Sequence, residues 1–264
     1  MPNPTDYLLT GDQSHPSVLY GKVTPLIDSH NYFPALAIAL DAAKGSSDFI
    51  YIMGWSLDWL EKEYKDHLGD TLQLRFRLFQ ESADLPSSLS DDYLRDFISI
   101  LEDKARQGVD VRVLGWISDL SAGIVRANTL AHLPGIPNAA TIATIRDLRK
   151  ESTLASKCSL NTLGRPGSGS VHAKLVIIGT ETHTVAFTGG IDLAHGRHGD
   201  PSHEYNQPDR IDYNGWHDVQ AKVEGPVVQE LFDYFKNIWN ELLNNPPIQL
   251  GVLQNAEDLY DLNE

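Results

Sequence analysis

The segment VHAKLVII, residues 171–178, determines most of what the sequence predicts about the fold. A Gly- and Ser-rich stretch precedes it and its second half is a continuous apolar run, which is typical of a buried strand. Residues 184–188, TVAFT, predict the next strand along the chain. Because side chains two positions apart on a strand point to the same face, His172 and Lys174 are expected to lie side by side.

Helical and strand-like patterns alternate on the amino-terminal side of this segment. Apolar spacing predicts a helix over 32–44, a strand over 48–55, a half-buried strand over 72–78, a helix over 91–107 and a strand over 109–116. One or two helices are expected within 121–157, and 163–170 and 194–215 are predicted to be loops. A strand over 216–223 and a core helix over 226–244 follow. The alternation indicates an α/β fold with a mixed, largely parallel sheet flanked by helices.

Length and composition indicate one globular domain over residues 1–264, with a core at about 21–244 and an acidic tail at 246–264. The net charge of −15 argues against a protein that holds nucleic acid or anionic membranes by bulk charge. The net charge does not exclude a local basic pocket or transient contact with a membrane surface. The first residues lack a secretory pattern and no apolar run could span a bilayer, so we expect a cytoplasmic protein, with signal-less export left open. The single cysteine, Cys158, excludes a disulfide framework and is expected to be inert.

His172 and Lys174 are the residues best suited to chemistry. An imidazole can act as a nucleophile or proton carrier, and a neighbouring ammonium can hold a phosphoryl oxygen. The loop residues His195, His198, Asp200, His203 and Glu204 are metal-ligand types, but their spacing favours a substrate-gating loop over a metal site. We expect Trp55, Trp59 and Trp116 to pack in the core instead of shaping an entrance for acyl chains. We expect Arg75, Arg77 and Arg165 to lie on a solvated face instead of contacting phosphate.

Three ordered segments, VHAKLVIIG, VAFTGGIDLAHGR and GWHDVQAKVEGPV, resemble the phospholipase D superfamily, and specifically its lipid-acting branch. The upstream segments VTPLIDSHNYFPALAIALDAAK and FIYIMGWSLD resemble the opening of the same enzymes. The resemblance covers about residues 21–244 and is to the first-motif, amino-terminal half of a two-motif enzyme. It implies a phospholipase D-like α-β-α sandwich.

The resemblance also implies a phosphodiesterase that works through a covalent phosphohistidine. His172 matches the histidine that attacks phosphorus or protonates the leaving alcohol, and Lys174 matches the lysine that holds the phosphate. Asp192 falls where many members carry an Asn that orients active-site groups. Gly189 and Gly190 match the tight turn after the motif strand, and Trp216, His217 and Asp218 match the Trp-His-Asp triplet near the pocket. The resemblance implies that Gly189, Gly190, Trp216 and Asp218 bind the substrate. His217 could orient the substrate or act as a second acid.

The sequence departs from the family pattern in two ways. Gly179 stands where the Asp of the His-x-Lys motif is expected, so Glu181 or another carboxylate would have to take its supporting role. The chain also contains only one His-x-Lys, whereas catalysis in the family uses two. Three alternatives follow: two chains pair in a homodimer around one site, a second half lies outside this chain, or catalysis has been lost.

We therefore expect hydrolysis or transfer of phosphatidyl groups, with a site shared across a homodimer. The alternatives are a one-motif homodimeric nuclease and a non-catalytic phosphate-binding or oligomerisation module. The scheme needs no metal or other cofactor, because an imidazole is substantially neutral at pH 7 and can attack unaided. Calcium on Asp192 or on the loop acids stays open. The expected partner is a phospholipid or other phosphodiester substrate, and not nucleic acid by preference.

Overall fold

The computed structural model describes residues 21–65, 71–117, 139–161, 171–199, 202 and 216–244. The strands are β1 (Lys22–Ile27), β2 (Phe49–Gly54), β3 (Lys62–Lys65), β4 (Thr71–Leu74), β5 (Asp110–Trp116), β6 (Cys158–Asn161), β7 (Leu175–Gly179), β8 (Thr184–Gly189) and β9 (Val219–Glu224). The α-helices are α1 (Asp28–Ala42), α2 (Phe97–Arg106), α3 (Ala139–Leu148) and α4 (Val228–Asn244). Two short 3-10 turns cover Ser82–Asp84 and Asp91–Leu94.

Seven strands form one mixed sheet in the order β1-β9-β8-β7-β2-β5-β6, and β3 and β4 form a separate hairpin. The predicted mixed sheet flanked by helices is confirmed. Its parallel part is smaller than expected, because only β2, β5 and β6 pair in parallel. The turn after β7 is four residues long and can join only antiparallel neighbours, and β9 and β1 extend that antiparallel half.

Helices cover both faces of the sheet. The ring of Phe187 on β8 lies 5.7 Å from that of Tyr32 on α1, whereas Tyr51 on β2 stacks on Phe235 of α4 at 4.9 Å. In the register of the sheet, Phe187 is opposite Val176, and Val176 is opposite Ile52, so these three side chains share one face. Tyr51 is the neighbour of Ile52 in β2 and therefore points to the other face. Because the central strands are buried on both sides, β7 reads as a continuous apolar run.

Three predicted strands have different limits from those expected. The strand predicted over 72–78 is a strand only at β4, because the backbone of Phe76 hydrogen-bonds to Trp59 and Phe97 instead of to a neighbouring strand. His172 and Lys174 were predicted to lie on a strand, but they precede β7 in an extended segment without ladder pairing. The predicted 216–223 strand begins at Val219.

Other predictions from the sequence fall partly or wholly outside the described residues. Residues 163–170, Asp200, His203, Glu204 and the tail at 246–264 belong to this group. The helix expected within 121–157 is found as α3. Cys158 is buried in β6, and burial raises the pKa of its thiol to about 12, which keeps it protonated at neutral pH. In the parts of the chain that the structure describes, we find no helix with the length and apolarity needed to cross a membrane.

Candidate active site

The candidate site lies along one edge of the seven-stranded sheet. β2 and β5 end together at this edge, with Gly54 opposite Gly115. β7 starts there, and β1 ends there opposite the start of β9, with Ile27 paired to Val219. Segments that are far apart in the sequence therefore meet at the same place.

His172 and Lys174 form the centre of the site. The imidazole of His172 is exposed, whereas the side chain of Lys174 is only 5% exposed. The Lys174 Nζ lies 3.4 Å from Nδ1 and 3.3 Å from Nε2 of His172. Because these distances are nearly equal, the ammonium is not in line with the lone pair of one ring nitrogen. The two groups instead border a common space, in which a phosphoryl oxygen could meet the ammonium while a ring nitrogen faces phosphorus.

Trp55, which follows β2, forms one wall beside these two residues. Its ring centroid lies 4.8 Å from that of His172 and 5.3 Å from the Lys174 Nζ. Trp116 at the end of β5 stacks on Trp55 with 6.3 Å between centroids. The prediction of core packing is met for Trp59, which is fully buried. Trp55, by contrast, borders the site and restricts the His172 ring from one side.

Asp192 lies beneath Lys174 and is 1% exposed. Its Oδ2 lies 3.3 Å from Lys174 Nζ and 3.3 Å from Arg197 Nη2, and its Oδ1 accepts a hydrogen bond from the Ser56 N–H at 3.1 Å. Burial raises the pKa of Asp192 and lowers the pKa of Lys174, and in each case the partner's charge opposes the effect of burial. Within this cluster two cations share one carboxylate, so a phosphodiester anion could pair with the Lys174 ammonium.

Arg197 links this cluster to the segment before β9. Its guanidinium carbon lies 4.1 Å from the ring centroid of Trp216, whose side chain is exposed. The sequence reasoning did not single out Arg197, because its role depends on a carboxylate five positions away that only the fold brings close. A basic residue shortly after the Gly-Gly turn is the signal that could have identified it.

The Gly189-Gly190 turn allows a close approach of β8 to the start of β9. A Cβ at Gly190 would collide with the carboxylate of Asp218, and one at Gly189 would lie 2.5 Å from the Val219 carbonyl oxygen. Gln220 is 1% exposed, and its Oε1 accepts from the Ile191 N–H at 3.2 Å. The two glycines thus act through close backbone packing.

His217 is paired with Asp28, a residue that the sequence reasoning missed. The His217 Nδ1 lies 3.1 Å from Asp28 Oδ1, and the same oxygen accepts from the Asp218 N–H at 3.0 Å. The side chain of His217 is 63% exposed and that of Asp28 is 1% exposed. An acidic residue at a strand-to-helix junction is the only local signal for Asp28, since its partners are about 190 positions away.

The other candidate residues lie elsewhere or have other contacts. Gly179 is at the opposite end of β7, where a Cβ would collide with the Phe49 ring. Glu181, near it, accepts from the Ser47 hydroxyl at 3.1 Å, so it does not reach the site. Arg75 lies 3.3 Å from Asp147 in an ion pair. Arg165 lies outside the described residues.

The histidines of the polar loop that the structure describes make structural hydrogen bonds. His195 Nε2 lies 2.9 Å from the Leu60 carbonyl and must donate there, so its Nδ1 accepts from Tyr64 at 2.9 Å. His198 Nε2 donates to the Arg77 carbonyl at 3.0 Å. The described residues contain no group of three His, Cys, Asp or Glu side chains that could hold a metal ion. Asp192, held between two cations, is a poor ligand for calcium.

The structure thus combines a mixed sheet that has helices on both faces with an exposed histidine beside a buried lysine at one edge. Residues 95–213 match the family described as Phospholipase D. The matched segment is somewhat less than half of the chain, and over it the chain is similar to the phospholipase D family.

Comparison with known proteins finds a plant protein of similar sequence and two solved structures of weaker similarity. Phospholipase D alpha 1 of Spuriopimpinella brachycarpa is 26% identical over 261 residues, which cover 84% of this chain and 28% of that protein. The chain thus spans about a quarter of the length of this plant relative. Among solved structures, the phospholipase D family member Nuc of Salmonella typhimurium is 14% identical with a TM-score of 0.39, covering 84% of this chain and 95% of Nuc. NucT of Helicobacter pylori is 10% identical with a TM-score of 0.43, covering 84% of this chain and 97% of NucT.

Proposed function

We propose that this chain is a phosphodiesterase of the phospholipase D type, which transfers a phosphatidyl group to water or an alcohol through a phosphorylated His172. The observation that carries the proposal is the exposed imidazole of His172 beside the buried ammonium of Lys174. The ammonium is held in place by Asp192, so it is already positioned when the phosphodiester arrives.

The chemistry has two steps. In the first, the lone pair of a His172 ring nitrogen attacks phosphorus, the bond from phosphorus to the leaving oxygen breaks, and that oxygen takes a proton from an acid. In the second, water or an alcohol loses a proton to the same group acting as base and attacks phosphorus. The nitrogen–phosphorus bond then breaks and its electrons return to His172. Lys174 offsets the negative charge on the phosphoryl oxygens in both steps.

Two observations support a phosphatidyl substrate over nucleic acid. Trp55 and Trp216 give the site edge an apolar, aromatic border that suits lipid. The net charge of −15 opposes a long polyanion. The phospholipase D name of the plant relative agrees with this choice.

The sequence-based alternative for the source of the general acid is a homodimer, in which the copy of His172 acts from the partner chain. A two-fold axis through the site would place the two residues on opposite sides of one phosphorus. Light scattering gives the solution mass. Mixing wild-type chains with an excess of chains that carry His172→Ala should remove the activity of the hybrid dimers if the site is shared, and should leave each wild-type chain active if it is not.

The proposed function is tested with phosphatidylcholine carrying a radioactive phosphoryl group. We expect the wild-type protein to hydrolyse this lipid. When the reaction is stopped rapidly with base instead of acid, His172 should carry the radioactive phosphoryl group. His172→Ala should lose at least 1,000-fold in kcat and all label, whereas His183→Gln, at the opposite edge of the sheet, should be unaffected. Unchanged hydrolysis by His172→Ala would overturn the proposal. Binding of phosphate with neither turnover nor labelling of His172 would indicate a binding module. Cleavage of DNA that weakens with added salt would indicate a nuclease.

A further inference from the structure

The pair formed by His217 and Asp28 has the arrangement of a proton-transfer dyad. A carboxylate accepts but does not donate hydrogen bonds, so the Nδ1 of His217 carries the hydrogen that points to Asp28 Oδ1. The tautomer of the neutral ring is therefore fixed, with the lone pair on Nε2 at the other side of the ring. A buried carboxylate that orients an exposed imidazole is how other enzymes hold a general acid and base.

Asp28 is held in place by more than its contact with His217. Its Oδ1 also accepts from the Asp218 N–H at 3.0 Å, and its own N–H donates to the Asp218 carbonyl at 2.9 Å. The backbone of Asp28 has φ of 57°, in the left-handed region, and it is the one non-glycine residue with positive φ in the described parts of the chain. Such strain costs about 1 kcal/mol or more and is found most often at functional sites.

The fold places His217 at the same edge as His172. β7 and β9 are both neighbours of β8, and Leu175 and Ala221 are both in register with Thr188. His172 lies three residues before Leu175 and His217 four residues before Ala221. Both histidines therefore precede strands that begin at this edge of the sheet and that are separated only by β8.

The contacts between the two histidines are continuous. From His172 they pass through Lys174 to Asp192, then to Arg197, whose guanidinium lies against Trp216. Trp216 is the residue directly before His217. The two cations expected to hold the phosphoryl group, Lys174 and Arg197, therefore lie along the series of contacts that joins the two histidines.

We propose that His217, positioned by Asp28, is the general acid and base of the same chain's site, so that a second His172 is not needed. This inference rests on the proposed function. In the first step the proton on Nε2 of the His217 imidazolium passes to the leaving oxygen as His172 attacks, which leaves a neutral ring with its Nδ1 hydrogen on Asp28. In the second step Nε2 takes a proton from water or the acceptor alcohol as the bond between phosphorus and His172 breaks. His217 is then a catalytic residue and Asp28 a positioning residue.

The experiment compares two substrates that differ only in the leaving group: phosphatidylcholine and the same lipid with p-nitrophenol in place of choline. Nitrophenolate leaves without being protonated, whereas the choline alkoxide needs an acid. We expect His217→Gln to lose at least 100-fold in the rate of choline release. With the nitrophenyl lipid it should give a burst of about one nitrophenolate per site at nearly the wild-type rate, followed by slow turnover and accumulation of labelled His172. The burst persists because the first step no longer needs the acid, and turnover is slow because the second step has lost its base.

Asp28→Asn tests the positioning role, since Asn keeps the shape and tolerates the left-handed backbone. We expect Asp28→Asn to slow choline release by about a tenth of the factor seen for His217→Gln and to keep the burst with the nitrophenyl lipid. The melting temperature should not change. His183→Gln is the matched control, because His183 also pairs with a carboxylate, Glu224, at 3.4 Å, but at the opposite edge of the sheet. It should behave as wild type with both lipids.

Two results would overturn the dyad while leaving the proposed function in place. Equal losses on both lipids in His217→Gln, including the burst, would mean that His217 serves binding or folding. No loss on either lipid would mean that the second imidazole comes from elsewhere, such as a copy of His172. Turnover of both lipids by His172→Ala would instead overturn the proposed function and the dyad together.

Discussion

Lys174 and Asp192 form an almost completely buried ion pair, with 3.3 Å between Nζ and Oδ2 and with 5% and 1% of the two side chains exposed. Burial of two charges is costly, and the geometry alone does not make such a pair stabilising. The pair instead fixes the position of the ammonium beneath His172. Arg197 and the Ser56 N–H occupy further lone pairs of the carboxylate, so the whole cluster depends on Asp192.

Removal of the Asp192 carboxylate should therefore cost more than removal of an exposed one. We expect Asp192→Ala to lower the free energy of unfolding by about 3 kcal/mol, because a buried ammonium is left without its counter-charge. Urea denaturation at pH 7 measures the change. Asp103→Ala, which removes exposed ion pairs to Arg95 and Arg106, is the control and should cost less than about 1 kcal/mol. Equal losses in the two variants would contradict this view of the cluster.

A side chain at Gly190 should disturb the site through Asp218. The Cβ of Gly190→Ala would collide with the Asp218 carboxylate and move the start of β9, and with it His217. We expect a fall in kcat of at least 10-fold and a lower melting temperature, measured by lipid hydrolysis and calorimetry. Gly45→Ala is the matched control, because its Cβ would meet no atom within 4 Å. Wild-type activity in Gly190→Ala would show that this close approach is dispensable.

Introduction of the family's Asp at position 179 should not improve catalysis. Gly179 lies at the far end of β7 from His172, and the Phe49 ring occupies the space that a side chain would need. We expect Gly179→Asp to lower the free energy of unfolding by about 2 kcal/mol through overpacking. The kcat of the folded protein should not change. Phe49→Leu in the same chain should recover part of the stability, and a rise in kcat for Gly179→Asp alone would refute this account.

Asp48 should make stability fall in acid. The Lys44 and Gly45 N–H groups donate to its Oδ2 at 2.7 and 3.2 Å, and these bonds, chiefly the one from Lys44, lower the pKa of Asp48 below its ordinary value of 3.8. A lowered pKa means that the unfolded chain takes up the proton more readily. The contribution to stability is therefore complete above the unfolded value and is lost as the pH falls through the lower folded value.

Asp48→Asn is the variant that tests this pH dependence. We expect it to be less stable than wild type by about 1 kcal/mol at pH 7. The difference should shrink below the unfolded pKa of Asp48, as measured by urea denaturation between pH 2 and 7. A difference that is constant across this range would show that the hydrogen bonds do not depend on the charge.

The sequence predicted the centre of the sheet better than its edges. β2, β5 and β8 are apolar because they are buried among other strands, so their composition marks them. β1 was missed, because as the edge strand it is mostly exposed and carries Pro25. β6 was missed because a strand of four residues is too short to show a period.

The same distinction applies to the site. His172 and Lys174 are two positions apart, so the local pattern alone placed them together. The contacts of Asp28 with His217 and Asp218 depend on the pairing of β1 with β9, which no local pattern specifies. Likewise, the contact of Arg197 with Asp192 depends on a loop whose shape is set by tertiary packing.

The order of the strands has a practical consequence for anyone who dissects this protein. The segment that matches the family, residues 95–213, contains His172, Lys174 and Asp192 but omits Asp28, Trp55 and His217. It also lacks β2, which stands between β7 and β5 at the middle of the sheet, and β9, which covers the outer side of β8. An expression fragment cut to that segment would therefore divide the sheet and expose apolar strand edges, and we expect it to aggregate. Fragments intended for assay or crystallisation should begin before Lys22 and extend beyond Asn244.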